Sequence, residues 1–81
     1  MSKVEVIMPK LGMTMKKGTV LEWKKKEGDR VKKDEVLAVV ESEKITSDLT
    51  APQDGVLVKI LHAEGDEVPV GETIAIIEAE G

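Results

Sequence analysis

The chain has 81 residues with a net charge of −4; 35% are charged, 41% are hydrophobic, and Trp23 is the single aromatic residue. This length allows one small domain without a deep active-site cavity, and the mildly acidic balance argues against nucleic acid or an anionic membrane as a partner. Because the chain contains no cysteine, a disulfide, a thiolate zinc site and a thiol nucleophile are all excluded. The longest apolar run has five residues, far short of a membrane span.

Alternating apolar residues and frequent turn signals predict an all-β chain in which helix is essentially absent. Taken in order, strands are predicted at residues 3–8, 19–24, 36–41, 45–50, 56–61 and 73–78. Residues 10–18 are predicted to form a long loop. Its apolar side chains, Leu11, Met13 and Met15, are expected either to cover one end of the core or to meet a partner.

An internal repeat relates residues 18–44 to residues 55–81. A shift of 37 residues aligns the two segments without a gap and leaves nine of 27 positions identical. The repeat predicts two similar β units, packed as a flattened barrel or sandwich with pseudo-two-fold symmetry, in one domain spanning residues 1–81. Because Lys44 aligns with Gly81, the Lys44 turn is expected at the pole opposite the chain ends.

The segment around Lys44 is predicted to be a hairpin tip. Two strand-like runs flank the polar residues Glu41, Ser42 and Glu43 together with Lys44, so the lysine is expected to be exposed at the end of the hairpin. An exposed lysine by itself indicates no function, so a function for Lys44 has to be argued from the rest of the chain.

No catalytic or metal site is predicted. His62 is the only histidine; it matches no nucleophile motif and is expected to be a solvated residue at a strand end. The acidic pairs Glu41/Glu43 and Asp34/Glu35 lie in charge-mixed segments without an apolar pocket and are expected to be solvated. A phosphate-binding glycine loop is also absent. The chain is therefore not expected to be an autonomous enzyme.

Lysine clusters at residues 24–26 and 32–33 are the only candidate for nucleic-acid binding. They are interleaved with acidic residues. Trp23 lies in an otherwise apolar strand, where a role in the core is expected instead of a base-stacking platform. The lysines are therefore interpreted as a soluble face.

A family resemblance extends over essentially the whole chain. The segments that carry it are Met8-Pro9-Lys10-Leu11-Gly12-Met13-Thr14-Met15, Gly18 with Trp23, Glu27-Gly28-Asp29 with Val31, Asp34-Glu35-Val36-Leu37, Glu41-Ser42-Glu43-Lys44, and Ala51 with Gly55. In this order they resemble the lipoyl domain of dihydrolipoamide acyltransferases, the E2 components of 2-oxo acid dehydrogenase complexes. The resemblance implies a barrel-sandwich of two four-stranded antiparallel sheets.

The resemblance also implies a cofactor and a set of partners. Lipoate would be attached to Lys44 by a lipoate ligase or a lipoyl/octanoyl transferase, with Glu43 and Ile45 as flanking recognition residues; the family most often has Asp-Lys-Ala here. The resulting swinging arm would be reductively acylated by a thiamine-diphosphate E1, pass its acyl group to coenzyme A at the E2 core and be reoxidised by a flavoprotein E3. The domain itself would be a non-catalytic carrier.

The loop before the second strand is implied to lie near the lipoyl-lysine. The residues implied in E1 recognition are Leu11, Gly12, Met13, Thr14 and Glu41. The Met13-Thr14-Met15 pattern favours a pyruvate or acetoin dehydrogenase complex over a 2-oxoglutarate one. The isolated domain is expected to be a cytoplasmic monomer.

Two alternatives share this fold. A biotin carrier domain also has a modified hairpin lysine, but its signature places methionine on both sides, where this chain has Glu43 and Ile45. An unmodified structural module would leave Lys44 as a solvated turn residue.

Overall fold

The structure, a computed structural model, describes residues 2–43 and 45–79, and within them it contains eight β-strands and no helix. The strands are β1 Lys3–Ile7, β2 Lys17–Trp23, β3 Arg30–Val31, β4 Val36–Glu41, β5 Thr46–Thr50, β6 Gly55–Ile60, β7 Glu67–Pro69 and β8 Thr73–Ala79. They form two four-stranded antiparallel sheets with the strand orders β1-β8-β6-β3 and β5-β4-β2-β7. The predicted all-β class and two-sheet architecture are confirmed.

Strands β3 and β7 differ from the sequence prediction, which placed no strand at either position. They have two and three residues, too few for an alternating pattern to show. Pairing with a longer neighbour creates them: Val31 lies opposite Gly55 of β6, and Val68 lies opposite Gly18 of β2. Strand β2 also begins earlier than predicted, because Lys17 pairs with Pro69.

The pseudo-two-fold symmetry is visible in the strand register. Val20 faces Val40 in the β2–β4 pair, and Leu57 faces Ile77 in the β6–β8 pair, so a shift of 37 residues relates the two pairs. Both pairs also contain a register shift at the same place, immediately after Val20 and after Leu57. The bulge therefore repeats along with the strands.

The outer strands β1 and β5 follow a different shift. Val6 faces Ala75, and Leu49 faces Ala38, so β1 and β5 are related by 43 residues while the inner strands are related by 37. The difference of six residues is an insertion in the loop between β1 and β2. The loop that contains these six additional residues, residues 10–16, is called the inserted loop; the connection between β5 and β6 is correspondingly shorter.

Two equivalent Gly-Asp turns tie each half of the molecule to the other. Gly28 N–H donates to the carbonyl oxygen of Leu57 at 2.6 Å, and Gly65 N–H donates to that of Val20 at 2.7 Å. Both glycines adopt left-handed backbone, with φ of 95° and 91°. Each half therefore supplies the turn that closes onto a central strand of the other half.

The core lies between the two sheets and is apolar. No polar or charged side chain among the described residues is buried. Fully buried side chains come from both halves and include Met8, Val20, Leu37, Leu57 and Ile77. Trp23 packs against this core, as predicted, and its indole N–H donates to the carbonyl oxygen of His62 at 2.9 Å. The described residues contain no helix long and apolar enough to cross a membrane.

Glu35, which immediately precedes β4, lies at the surface as predicted, and the structure adds an ion pair that the sequence did not predict. The Nζ atom of Lys25 lies 2.8 Å from Oε2 of Glu35, and both side chains are about two-thirds or more shielded. The hydrogen bond from Lys25, with a second one from Lys32 N–H, lowers the pKa of Glu35 below its ordinary value of 4.5. The pair therefore favours the folded protein only while Glu35 is ionised.

The left-handed turns give the first prediction. Replacing Gly28 or Gly65 by alanine should lower the free energy of unfolding by about 1 kcal/mol each, the cost of left-handed backbone for a residue with a Cβ. An added Cβ meets no atom within 4 Å at either position, so the loss reports backbone strain alone. Urea denaturation measures it. Gly12→Ala, which also has open space but ordinary φ, is the control; an equal loss there would contradict this explanation.

The Lys25–Glu35 pair gives a pH-dependent prediction. Because the pKa of Glu35 is lowered in the folded state, its stabilisation is present above the ordinary value of 4.5 and is lost as the pH falls through the folded-state pKa. Glu35→Gln should therefore be less stable than the parent chain near neutral pH, and the gap should close in acid. Denaturation measured from neutral to acidic pH tests this. Glu22→Gln, which removes the more exposed Lys24–Glu22 pair, is the control. A gap independent of pH would refute it.

Candidate functional site

The hairpin between β4 and β5 ends in a tight connection. Glu41 faces Thr46 as the last register pair, and beyond it Ser42 N–H donates to the carbonyl oxygen of Ile45 at 2.8 Å. Lys44, the predicted attachment residue, lies outside the described residues. Its neighbours Glu43 and Ile45 are both exposed, Ile45 by 44%, so the described flanks of position 44 are accessible from solvent.

The hydrogen bond that closes this hairpin has a counterpart under the pseudo-two-fold symmetry of the chain. Ala79 N–H donates to the carbonyl oxygen of Ser2 at 2.8 Å, and the shifts of 37 and 43 residues convert Ser42 and Ile45 into these two residues. At one end of the molecule the two strands are thus joined by the hairpin, and at the other end the same geometry holds the first and last described residues together.

The inserted loop lies beside the hairpin. The two segments share an open groove of about 720 Å³ with the start of β2 and with β7. Its lining residues are Gly12, Thr14, Met15, Lys16, Lys17, Gly18, Thr19, Glu41, Ser42, Glu43, Ile45 and Glu67. The structure therefore brings the predicted recognition residues Gly12, Thr14 and Glu41 together with the flanking residues Glu43 and Ile45.

The remaining two predicted recognition residues behave differently from each other. Leu11 is partly buried against the core, whereas Met13 is 93% exposed and is not among the groove-lining residues. Met15 packs on the core with Leu11. Leu11 and Met15 therefore cover the core, which is one of the two explanations offered for the apolar loop. Met13 is exposed, and its contact with a partner stays a prediction.

A salt bridge crosses from β2 to β7 at the side of the groove. The Nζ atom of Lys17 lies 3.0 Å from Oε1 of Glu67, and both side chains are more than half exposed. Exposed pairs of this kind contribute at most about 1 kcal/mol to stability. The end of the inserted loop is held against β7 by the backbone pairing of Lys17 with Pro69, and the salt bridge lies beside that pairing.

His62 is not the solvated residue that the sequence predicted. Its Nε2 lies 2.8 Å from Glu72 and its Nδ1 lies 3.5 Å from Asp66, with 24% of the side chain exposed. The 37-residue shift makes His62–Glu72 the counterpart of Lys25–Glu35, which indicates a structural contact. Among the described residues, His, Asp and Glu side chains form no group of three or more able to hold a metal ion.

The shape of the site fits a covalently attached group. The described flanks of position 44 are exposed, and the adjacent groove is open rather than enclosed. A non-covalent cofactor would need a cavity that buries most of its surface. A covalently attached group instead requires only that a modifying enzyme can reach the attachment position.

Comparisons with known proteins agree with this geometry. The Biotin_lipoyl family model, described as "Biotin-requiring enzyme", matches residues 4–77. The chain is 51% identical over 74 residues to the dihydrolipoyllysine-residue acetyltransferase component of the acetoin cleaving system of Bacillus subtilis, covering 91% of this chain and 19% of that protein. It is 45% identical over 74 residues to the succinyltransferase component of the Rickettsia bellii 2-oxoglutarate dehydrogenase complex, covering 91% and 18%.

A solved structure matches along its full length. The solution structure of the lipoyl domain of the 2-oxoglutarate dehydrogenase complex from Azotobacter vinelandii has a TM-score of 0.80 and 33% identity, covering 96% of this chain and 99% of that one. The chain spans about a fifth of the two curated relatives and essentially all of the solved domain. It therefore belongs to the biotinyl/lipoyl family, and within that family it is a lipoyl domain.

Proposed function

We propose that Lys44 carries covalently attached lipoate and that the domain acts as a swinging-arm carrier of an E2 acyltransferase component. The observation that carries the proposal is the full-length match to a lipoyl domain, combined with the position of Lys44 in the connection closed by the Ser42–Ile45 hydrogen bond. The exposed flanks of position 44 support access by a modifying enzyme.

The role of the chain's own residues is presentation and recognition. A lysine amine ordinarily has a pKa of about 10.4 and is protonated at neutral pH, so a lipoate ligase or a lipoyl/octanoyl transferase has to supply an activated acyl donor. Glu43 and Ile45 are the side chains such an enzyme meets first. The lipoyl group, once attached, supplies acyl carriage and two-electron redox chemistry. In this proposal the domain contributes no catalytic group of its own.

The proposed partners are the enzymes of a 2-oxo acid or acetoin dehydrogenase complex. They are a thiamine-diphosphate E1, the E2 core that uses coenzyme A, and a flavoprotein E3. A tethered carrier raises its effective concentration at each of these sites, which explains the use of a domain without catalytic residues. A cytoplasmic location and a monomeric isolated domain stay predictions.

The proposed complex is of the acetoin or pyruvate type. The 51% identity to the acetoin-cleaving component, against 45% to the 2-oxoglutarate component, supports the acetoin type. Identity does not favour the pyruvate type over the 2-oxoglutarate one, being 42% to the pyruvate component of Acholeplasma laidlawii, so the pyruvate alternative rests on the Met13-Thr14-Met15 sequence of the inserted loop. The Glu43 and Ile45 flanks support lipoate over biotin, whose carrier domains have methionine at both positions.

Lipoylation is tested by co-expressing the chain with a lipoate ligase and measuring its intact mass. The parent chain should gain one lipoyl group, and Lys44→Arg should gain none, because arginine keeps the charge but cannot form the amide. Lys17→Arg, at a lysine that lines the same groove, is the matched control and should be modified like the parent. Modification of Lys44→Arg, a biotinyl group, or no modification of the parent chain would each refute the assignment.

Recognition by E1 is tested at Met13, since its exposure separates contact with a partner from folding. Met13→Ser should leave lipoylation and stability unchanged and lower kcat/KM for reductive acylation by about three- to tenfold, as expected for loss of one apolar contact. Leu21→Ser, at an exposed leucine of β2 outside the inserted loop, is the control. Equal losses in the two variants would remove Met13 from the recognition surface. Leu11→Ser is unsuitable, because Leu11 packs on the core.

A further inference from the structure

The inserted loop is fixed to the fold at its two ends. On one side Met8 N–H donates to the carbonyl oxygen of Glu72, and the carbonyl oxygen of Met8 accepts from Gly71 N–H, both at 3.0 Å. On the other side the carbonyl oxygen of Lys16 accepts from Val70 N–H at 3.0 Å. The residues between these ends need their own support to stay beside the hairpin, because a loop of this length otherwise samples many conformations.

Met15 supplies two hydrogen bonds within the loop. Its backbone N–H donates to the carbonyl oxygen of Gly12 at 3.2 Å, which closes a β-turn with Met13 and Thr14 at its centre. Its thioether Sδ accepts the N–H of Leu11 at 3.1 Å. The backbone of Met15 thus closes the turn, and its side chain holds Leu11, the residue that precedes the turn.

Gly18 provides the space into which the Met15 side chain fits. A Cβ atom at Gly18 would lie 2.9 Å from Cε of Met15 and 2.9 Å from Sδ of Met8, closer than real Cβ contacts allow. The symmetry-equivalent Gly55 serves another purpose, since a Cβ there would collide with the backbone carbonyl of Glu78. The space at Gly18 that holds the Met15 side chain is therefore specific to the half of the molecule that carries the insertion.

We propose that Met15 is a positioning residue: its sulfur and its methyl group, seated over Gly18, fix the turn that presents Met13 and Thr14 beside the hairpin, and this sets the affinity of E1 for the domain. The affinity part of the inference rests on the proposed function. Methionine suits the role because it is long and unbranched and carries an acceptor at the δ position. Leucine has a similar volume without an acceptor.

The test compares Met15→Leu, Gly18→Ala and the control Met13→Leu in the 81-residue chain, which spans the full length of a lipoyl domain solved on its own. NMR amide exchange at Leu11 reports the sulfur hydrogen bond directly and needs no cofactor. Lipoylated samples then give kcat and KM for reductive acylation by E1. Lipoylation is quantified by intact mass before each assay.

In Met15→Leu, exchange at the Leu11 amide should be faster and KM should rise about two- to tenfold, the range given by loss of one hydrogen bond, while kcat and lipoylation are unchanged. Gly18→Ala should act in the same direction although it keeps the sulfur, because its Cβ displaces the methyl group of Met15. The same Cβ also meets Met8, so amides beside Met8 should shift in this variant and not in Met15→Leu. Met13→Leu should leave the Leu11 amide unchanged.

Unchanged exchange at Leu11 in Met15→Leu would overturn the proposal. So would changes spread evenly through β2 and β4, which would show that Met15 is only a part of the core. A responding Leu11 amide with unaltered KM would overturn the link to E1 affinity. Failure of the parent chain to be lipoylated would refute the proposed function instead, and the exchange data would still decide whether Met15 positions the loop.

Discussion

The exchange of Gly-Asp turns between the two halves is the constraint on which the rest of the structure depends. Gly28 donates to the central strand of the second half and Gly65 to that of the first, so neither half closes its side of the core without the other. Left-handed backbone makes these contacts possible, and glycine adopts it without steric cost. This small domain has no cysteine, and no polar side chain is buried within residues 2–43 and 45–79. It is closed by backbone hydrogen bonds on both sides of an apolar core.

Departures from the two-fold symmetry mark the candidate site. The two halves share strands, bulges and turns, yet one of them has a hairpin connection at residues 42–45 and a six-residue insertion before β2. Both additions meet at one groove. The symmetric part of the molecule thus supports the site, and the groove lies where an element of one half has no equivalent in the other.

Much of this arrangement follows from local sequence signals. The repeat at a shift of 37 residues and the Glu-Gly-Asp turns predicted the paired β units, and the polar residues around Lys44 predicted the hairpin. Strands β3 and β7 could not be predicted, since partner strands create them and two or three residues carry no periodicity. The Leu11–Met15 hydrogen bond was equally hidden, because a thioether acceptor has no sequence signature. The contacts of His62 with Glu72 and Asp66 depend on chain segments that only the fold brings together.

The pairing of β1 with β8 has a consequence for synthesis of the protein. The first strand finds its partner in the last one, with Val4 opposite Ile77, so β1 leaves the ribosome long before its neighbour exists. Pairing over such a sequence separation is slow compared with local structure formation. The nascent domain therefore leaves the backbone hydrogen-bonding groups of β1 without their partner strand until β8 has emerged, and its folding should be a late event that follows translation of the whole domain.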